Sequence, residues 1–285
     1  MWQWLAEPLE FAFMRQALGV GVLVGILCAV MGSYLIVQQM AMLGGAISHS
    51  VVPGLSLAYF FGWNLAVGAF VAGVLSALAI AAIETRSRLK VDAAMALILT
   101  TFLASGMMLI SLLRTNQIDL NQILFGDILS VRPADVVQTL AITGVILVLV
   151  KLFYKELLFY SFDPLGARAS GLPVNVLYFS LICGLTLAIV ATMQTVGVLL
   201  AIALLVGPAM TAYLLVSELH QMMTLGAVIG SLASVSGMYV SYYLDVPSGP
   251  AIALAAFCAF ALAFCFSPRQ GLLTAAYRQA RQSKR

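Results

Sequence analysis

The chain has 285 residues, 62% of them hydrophobic and only 9% charged, with a net charge of +3 and a mean hydropathy of +1.05. A soluble domain carries about a quarter charged residues, so an ordinary soluble enzyme is excluded. The composition points to an all-α polytopic membrane protein, one bundle however many helices it holds. The small net charge argues against a nucleic-acid partner, and the placement of the charges bears on orientation instead.

Residues 1–16 carry Glu7 and Glu10 where a cleavable leader would carry a basic segment, and they read as an amphipathic lead-in on the membrane surface. A helix needs about 20 apolar residues to cross the hydrocarbon core, and that rule gives about nine spans. They fall at 17–37, 42–61, 64–83, 93–113, 134–151, 175–192, 196–216, 222–243 and 249–267. The second is interrupted by Gly44, Gly45, Ser48, His49, Ser50 and Pro53, and the count is eight if it does not cross fully.

That interruption is also the best internal site. In a helix, Met42, Gly45, Ser48 and His49 fall near one face. Pro53 brings no amide hydrogen, so the carbonyl of His49 loses its helical partner. A kink, a freed oxygen and a ring nitrogen then coincide. Ionisable groups inside a membrane are costly and face a cavity or a partner, and neutral imidazole is a common ligand for divalent transition metals. A histidine bonded to a neighbouring helix and tuning only its packing explains the same residues, and the sequence leaves both readings open.

Further along, ETRSRLK (84–90) links the third and fourth spans and is basic. The connection 114–135 mixes polar and apolar residues and predicts a short surface or re-entrant helix, either a cap on the bundle or a docking and gating surface with Asp127 at the outer gate. Lys151 and Lys155 follow the fifth span. The connection 154–175 is punctuated: Asp163 caps, Pro164 starts a helix, and Gly171 and Pro173 stop it. This predicts a helix of about two turns between two spans. The seventh span repeats the motif of the second, since Pro208, after Gly207, leaves the carbonyl of Leu204 unpaired, with Met210 and Thr211 just beyond. Broken helices in both halves of a chain point to a transport path. His220 reads as an ordinary solvated histidine, and the methionine pairs 107–108 and 222–223 as packing. The glycine clusters 19–25 and 226–230 permit close helix approach or a subunit interface.

The basic linker 84–90, the basic connection after the fifth span and the basic tail 268–285 all lie on one side if the spans alternate. Placing them in the cytoplasm puts the C-terminus inside and the N-terminus outside, with Arg15, Arg114 and Arg132 as exceptions. Cys28, Cys183, Cys258 and Cys265 lie in apolar runs without CxxC spacing and read as packing residues. The chain has no GxxxxGK[ST] and no HExxH, and no carboxylate is placed for a Ser-His-Asp set, so any ATP that drives it binds another polypeptide.

Several ordered motifs, between about Leu18 and Pro268, resemble the membrane permease subunits of ABC importers for manganese, zinc and iron. GGAISHSVVPG (44–54) is similar to the pattern that opens the family's second helix. LFGDILSV (124–131) resembles its outer loop, and FDPLGARASGLPV (162–174) its cytoplasmic coupling segment. VGVLLAIALLVGPAMTA (196–212) and SYYLDVPSGPAIAL (241–254) resemble its seventh span and last outer turn. The resemblance implies a type II importer-like bundle in a bacterial inner membrane, working by alternating access. It also implies a homodimer or a pair of like permeases, two separate cytoplasmic ATPase subunits, and an extracytoplasmic metal-binding protein that delivers the ion. Asp163, Pro164, Ala167, Arg168 and Gly171 would seat the coupling helix on the ATPase. His49 would contact the ion, with Ser48 as the nearest oxygen. The family usually carries an aspartate where this chain has Gly45, so only the histidine of its expected ligand pair carries over. Zinc, iron or a chelate as cargo, and a stand-alone secondary transporter, are the competing expectations. The coupling-like segment argues against the stand-alone transporter.

Overall fold

The computed structural model describes residues 7–113, 126, 128 and 131–267. Among the described residues the chain is helical throughout, without strands. The helices are α1 (Ala12–Val37), α2 (Ala41–Ser50), α3 (Val52–Phe61), α4 (Leu65–Arg86), α5 (Val91–Leu112), α6 (Pro133–Leu152), α7 (Tyr154–Phe162), α8 (Pro164–Ala169), α9 (Val174–Val196), α10 (Val198–Leu215), α11 (Leu219–Leu244) and α12 (Ser248–Phe266). Nine helices are long and apolar enough to cross a membrane when α2 and α3 are taken together as Ala41–Phe61.

Helix α1 is the axis of the bundle. Met14, Ala17, Val20, Val24, Leu27 and Tyr34 along it are fully buried, and it packs against α6, α10 and α11. Van der Waals contact, rather than expulsion of water, holds helices together in lipid, so close approach decides which pairs form. Gly25 of α1 meets Gly230 of α11 in such an approach: a Cβ on Gly25 would lie 2.7 Å from the Gly230 carbonyl carbon. On the other flank Gly54 of α3 and Gly68 of α4 abut in the same way. Helices α5, α6 and α12 instead turn large apolar side chains outward, including Leu97, Met108, Val148, Leu152, Phe257 and Leu262.

Buried hydroxyls inside the spans are mostly satisfied by their own helix, as a bilayer demands. Ser33 donates to the Ala29 carbonyl at 2.7 Å, Thr192 to Ala188 at 2.9 Å and Ser234 to Gly230 at 2.9 Å.

Several sequence expectations shift. The first span starts at Ala12, and Met14 is fully buried, so residues 12–16 belong to the first helix of the bundle. The second span is long enough to cross, but it is two helices joined at Val51. The seventh does not break at Gly207 and Pro208. Helix α10 runs through both without interruption, because neighbouring helices let a membrane helix tolerate proline. The discontinuity lies at Gly197, between α9 and α10, where φ is +84°. A side chain at that φ would be strained, and glycine is not.

Candidate functional site

Helix α2 ends in the His49–Ser50 pair, and the chain resumes as α3 after one residue. Val51 keeps helical angles (φ −74°, ψ −18°), so the joint is a local disruption rather than a turn. Its cause is Pro53 in the first turn of α3, which supplies no amide hydrogen to the turn before it. The Val51 carbonyl keeps its ordinary helical donor, the Leu55 amide at 3.0 Å.

Three of the four residues placed on one face share it. Met42 is exposed, and Gly45 and His49 are half-buried. Gly45 borders open space, since a Cβ built on it meets no heavy atom within 4 Å. Ser48 is the exception. It is fully buried and its hydroxyl donates to the Gly44 carbonyl at 2.8 Å, which turns it into the bundle and away from that face. On the opposite side of the joint, Gly73 of α4 packs against Thr186 of α9, Ile47 and Val51.

The sequence did not single out the hydroxyls of Ser50 and Thr186. Both are buried without a hydrogen-bond partner, and both lie beside the joint. Serines and threonines are common in these spans, and only their partnering separates these two from Ser33 or Thr192. Among the described residues no group of three or more His, Cys, Asp and Glu comes together. His49 is the imidazole at this joint, and the described residues of one chain do not gather three such ligands around it. Asp127 lies outside the described residues. Gly126 beside it packs against Val196 and Gly197, at the α9–α10 discontinuity.

At the other end of the bundle the punctuated connection is a helix pair. Asp163 caps α8: its carboxylate accepts from the Gly166 amide at 2.8 Å. Gly166 lacks a Cβ where one would run into that carboxylate. Beyond the end of α8, Gly171 adopts φ +83°. The Gly171 amide donates to the Arg168 carbonyl at 3.1 Å and the Leu172 amide to the Ala167 carbonyl at 3.1 Å, which closes the orphan carbonyls of the last turn. Ala167 is fully buried and anchors α8. Phe162, Pro164, Leu165 and Arg168 are exposed, Leu165 at 80%. The Arg168 guanidinium reaches Asn175 at 3.5 Å.

Helix α7 seats this pair on the bundle. Leu157 and Tyr160 pack with Val30 and Tyr34 of α1, Leu177 and Leu181 of α9, and Leu219 and Met223 of α11. Burial, and then the nearby Glu84 carboxylate, push the Tyr160 phenol up to about 12, so it stays neutral. His220, exposed, pairs with Glu218 at 3.3 Å, as a solvated histidine does.

Comparison with known proteins places this architecture. The chain is 43% identical over 275 residues to the manganese transport system membrane protein MntC of Halalkalibacterium halodurans, covering 96% of this chain and 94% of that protein. It is 41% identical over 273 residues to a probable iron transport system membrane protein of Haemophilus influenzae, covering 95% of each. Among solved structures, PsaBC from Streptococcus pneumoniae in complex with Fab matches with a TM-score of 0.86 and 38% identity, over 96% of this chain and 99% of that one. The model of the ABC 3 transport family matches residues 10–267, and the chain belongs to that family as a multi-pass membrane permease of an ABC transporter.

Proposed function

We propose that the chain is the permease subunit of an ATP-driven importer of divalent transition metal ions, with manganese as the leading cargo, in a bacterial inner membrane. The observation that carries the ion path is the half-buried His49, one turn beyond the open space at Gly45, on a helix interrupted at Val51. An imidazole at that depth has a use for a cation. Manganese is favoured because relatives with that cargo in their names align over nearly the whole chain. Iron or a chelate is the second reading, supported by the similarly close Haemophilus influenzae relative and by the missing carboxylate at Gly45. A hard ion prefers oxygen ligands, and His49 alone offers nitrogen.

In this reading two copies of the chain face each other, so that His49 of each copy approaches a shared path. The lack of a three-ligand group within the described part of one chain supports a second protomer. The exposed face of α8 seats on a cytoplasmic ATPase, and an extracytoplasmic binding protein delivers the ion to the opposite end. The Lys and Arg clusters support a cytoplasmic position for α8 and the C-terminus. Alternating access then requires the α2–α3 joint to change angle when ATP turnover moves α8.

Uptake of manganese, zinc and iron, measured side by side in cells with and without the transporter, tests the cargo. Equal, ATPase-independent uptake driven by a proton gradient would overturn the reading in favour of a secondary transporter.

A further inference from the structure

The chain leaves the bundle beside a cavity. Ser267 closes α12 with extended angles (φ −54°, ψ 129°) and is fully buried. Its hydroxyl donates to the Leu214 carbonyl at 2.6 Å, in the last turn of α10, and so fastens the end of α12 to the end of α10. Leu214 lines a cavity of about 280 Å³, with Val37 of α1, Phe162 of α7, Tyr213 of α10, and Glu218 and Met222 at the start of α11. This is the end of the bundle that carries α8, since Phe162 immediately precedes the Asp163 cap.

The wall mixes apolar surface with one acid. Phe162 is an exposed aromatic ring, and Met222 is buried. Glu218 is the carboxylate of the lining and is exposed. It accepts from the Gln221 side-chain amide at 3.0 Å and faces the His220 imidazole at 3.3 Å, and among the described residues no lysine or arginine pairs with it. The site suits a segment that brings a cation and apolar side chains together.

Residues 268–285, outside the described part, supply that combination. They hold Arg269, Arg278, Arg281, Lys284 and Arg285 and no acid, with Leu272 and Leu273 between the first two cations. An extended chain covers about 3.5 Å per residue, so Leu272 can lie up to about 17 Å from Ser267. The cavity begins at the residue to which Ser267 is bonded, well within that reach. Anionic lipid headgroups would attract the same cations, but they would leave both the leucines and the Glu218 carboxylate unmatched.

We propose that residues 269–273 fold back into this cavity, with Arg269 pairing with Glu218 and with Leu272 and Leu273 covering Phe162 and Met222. The segment then acts as a strap on the α7–α8 corner. That the strap steadies coupling rests on the reading of α8 as the ATPase contact. The docking itself does not depend on that reading.

The experiment uses the permease with its ATPase subunits in nanodiscs, its four cysteines replaced by alanine, and Ser217→Cys and Thr274→Cys introduced. Ser217 is exposed beside Glu218, and both leucines remain in place. A short bismaleimide should join the two positions within one chain, read by mass spectrometry of the linked peptides. The exposed Ser87→Cys, paired with Thr274→Cys, should not link. Glu218→Arg should lower the linked fraction about fivefold, because it replaces an exposed ion pair with a like-charge contact. Adding Arg269→Glu should restore it, and Leu272→Ser with Leu273→Ser should lower it again. No link at Ser217, an equal link at Ser87, or a yield indifferent to Glu218→Arg overturns the proposal. So does a link that joins two chains. A link seen in phosphatidylcholine and lost in phosphatidylglycerol assigns the segment to the membrane and overturns it too. Should the cysteine-free protein fail to assemble, trypsin cleavage after Arg269 in the native complex carries the test. It should be about fivefold faster in Glu218→Arg, and equal rates overturn the proposal.

Discussion

Gly45 and His49 lie one helical turn apart on α2, and the glycine leaves open space where a side chain would share the approach to the imidazole. Packing does not force a glycine here. At Gly44, by contrast, a Cβ would run into the Leu205 side chain. Position 45 is thus free to carry a ligand, and in this chain it does not.

His49→Ala should abolish uptake of the transported metal while the complex with the ATPase assembles normally. His49 sits on the half-buried face, so truncating it removes the donor without opening the core. Radiometal uptake beside a pull-down of the ATPase separates the two effects. Undiminished uptake would reduce His49 to a packing residue.

Gly45→Asp should fold, because the new Cβ meets nothing, and should place a carboxylate one turn from the imidazole. Oxygen ligands favour manganese over softer ions. The expected outcome is a fall of about tenfold in the half-saturating manganese concentration, equivalent to about 1.4 kcal/mol, with little gain for zinc. A loss of manganese uptake would mean that the open space at Gly45 is needed for passage and not for binding.

How much of this could be read from the residues differs between the two ends of the molecule. The α8 segment was legible because Asp163, Pro164 and Gly171 act locally: a cap, a helix start and a positive-φ stop work through the nearest turn of backbone. The nine apolar stretches were legible for a similar reason, since length and composition decide what crosses a bilayer. The effect of each proline was not. Pro53 interrupts its span and Pro208 does not, although both remove the same hydrogen bond. The difference lies in what packs around them, which no local pattern encodes. The buried side of Ser48 and the unpaired hydroxyls of Ser50 and Thr186 depend in the same way on neighbouring helices.

Asp163→Ala and Gly171→Ala should each loosen α8 and uncouple ATP hydrolysis from transport. Losing the cap costs about 1 kcal/mol, and forcing alanine to φ +83° costs about 1–2 kcal/mol. Neither residue belongs to a span, so membrane insertion should be unaffected. The measurement is ATPase activity per ion transported in proteoliposomes, which should rise in both variants. An unchanged ratio in both would detach α8 from coupling.

Two glycines of α1 give opposite expectations and so test the packing argument within one helix. A Cβ on Gly19 meets nothing within 4 Å, so Gly19→Ala should be neutral or stabilising by up to about 1 kcal/mol through helix propensity. A Cβ on Gly25 would press on the Gly230 carbonyl carbon at 2.7 Å and its oxygen at 2.9 Å. Backbone cannot rotate away as a side chain can, so Gly25→Ala must push α11 off α1, at a cost of about 1–3 kcal/mol. Thermal unfolding in detergent should therefore fall for Gly25→Ala and not for Gly19→Ala. Gly230→Ala should reproduce the loss, and the Gly25→Ala, Gly230→Ala pair should lose less than the sum, because one displacement of the helices relieves both clashes.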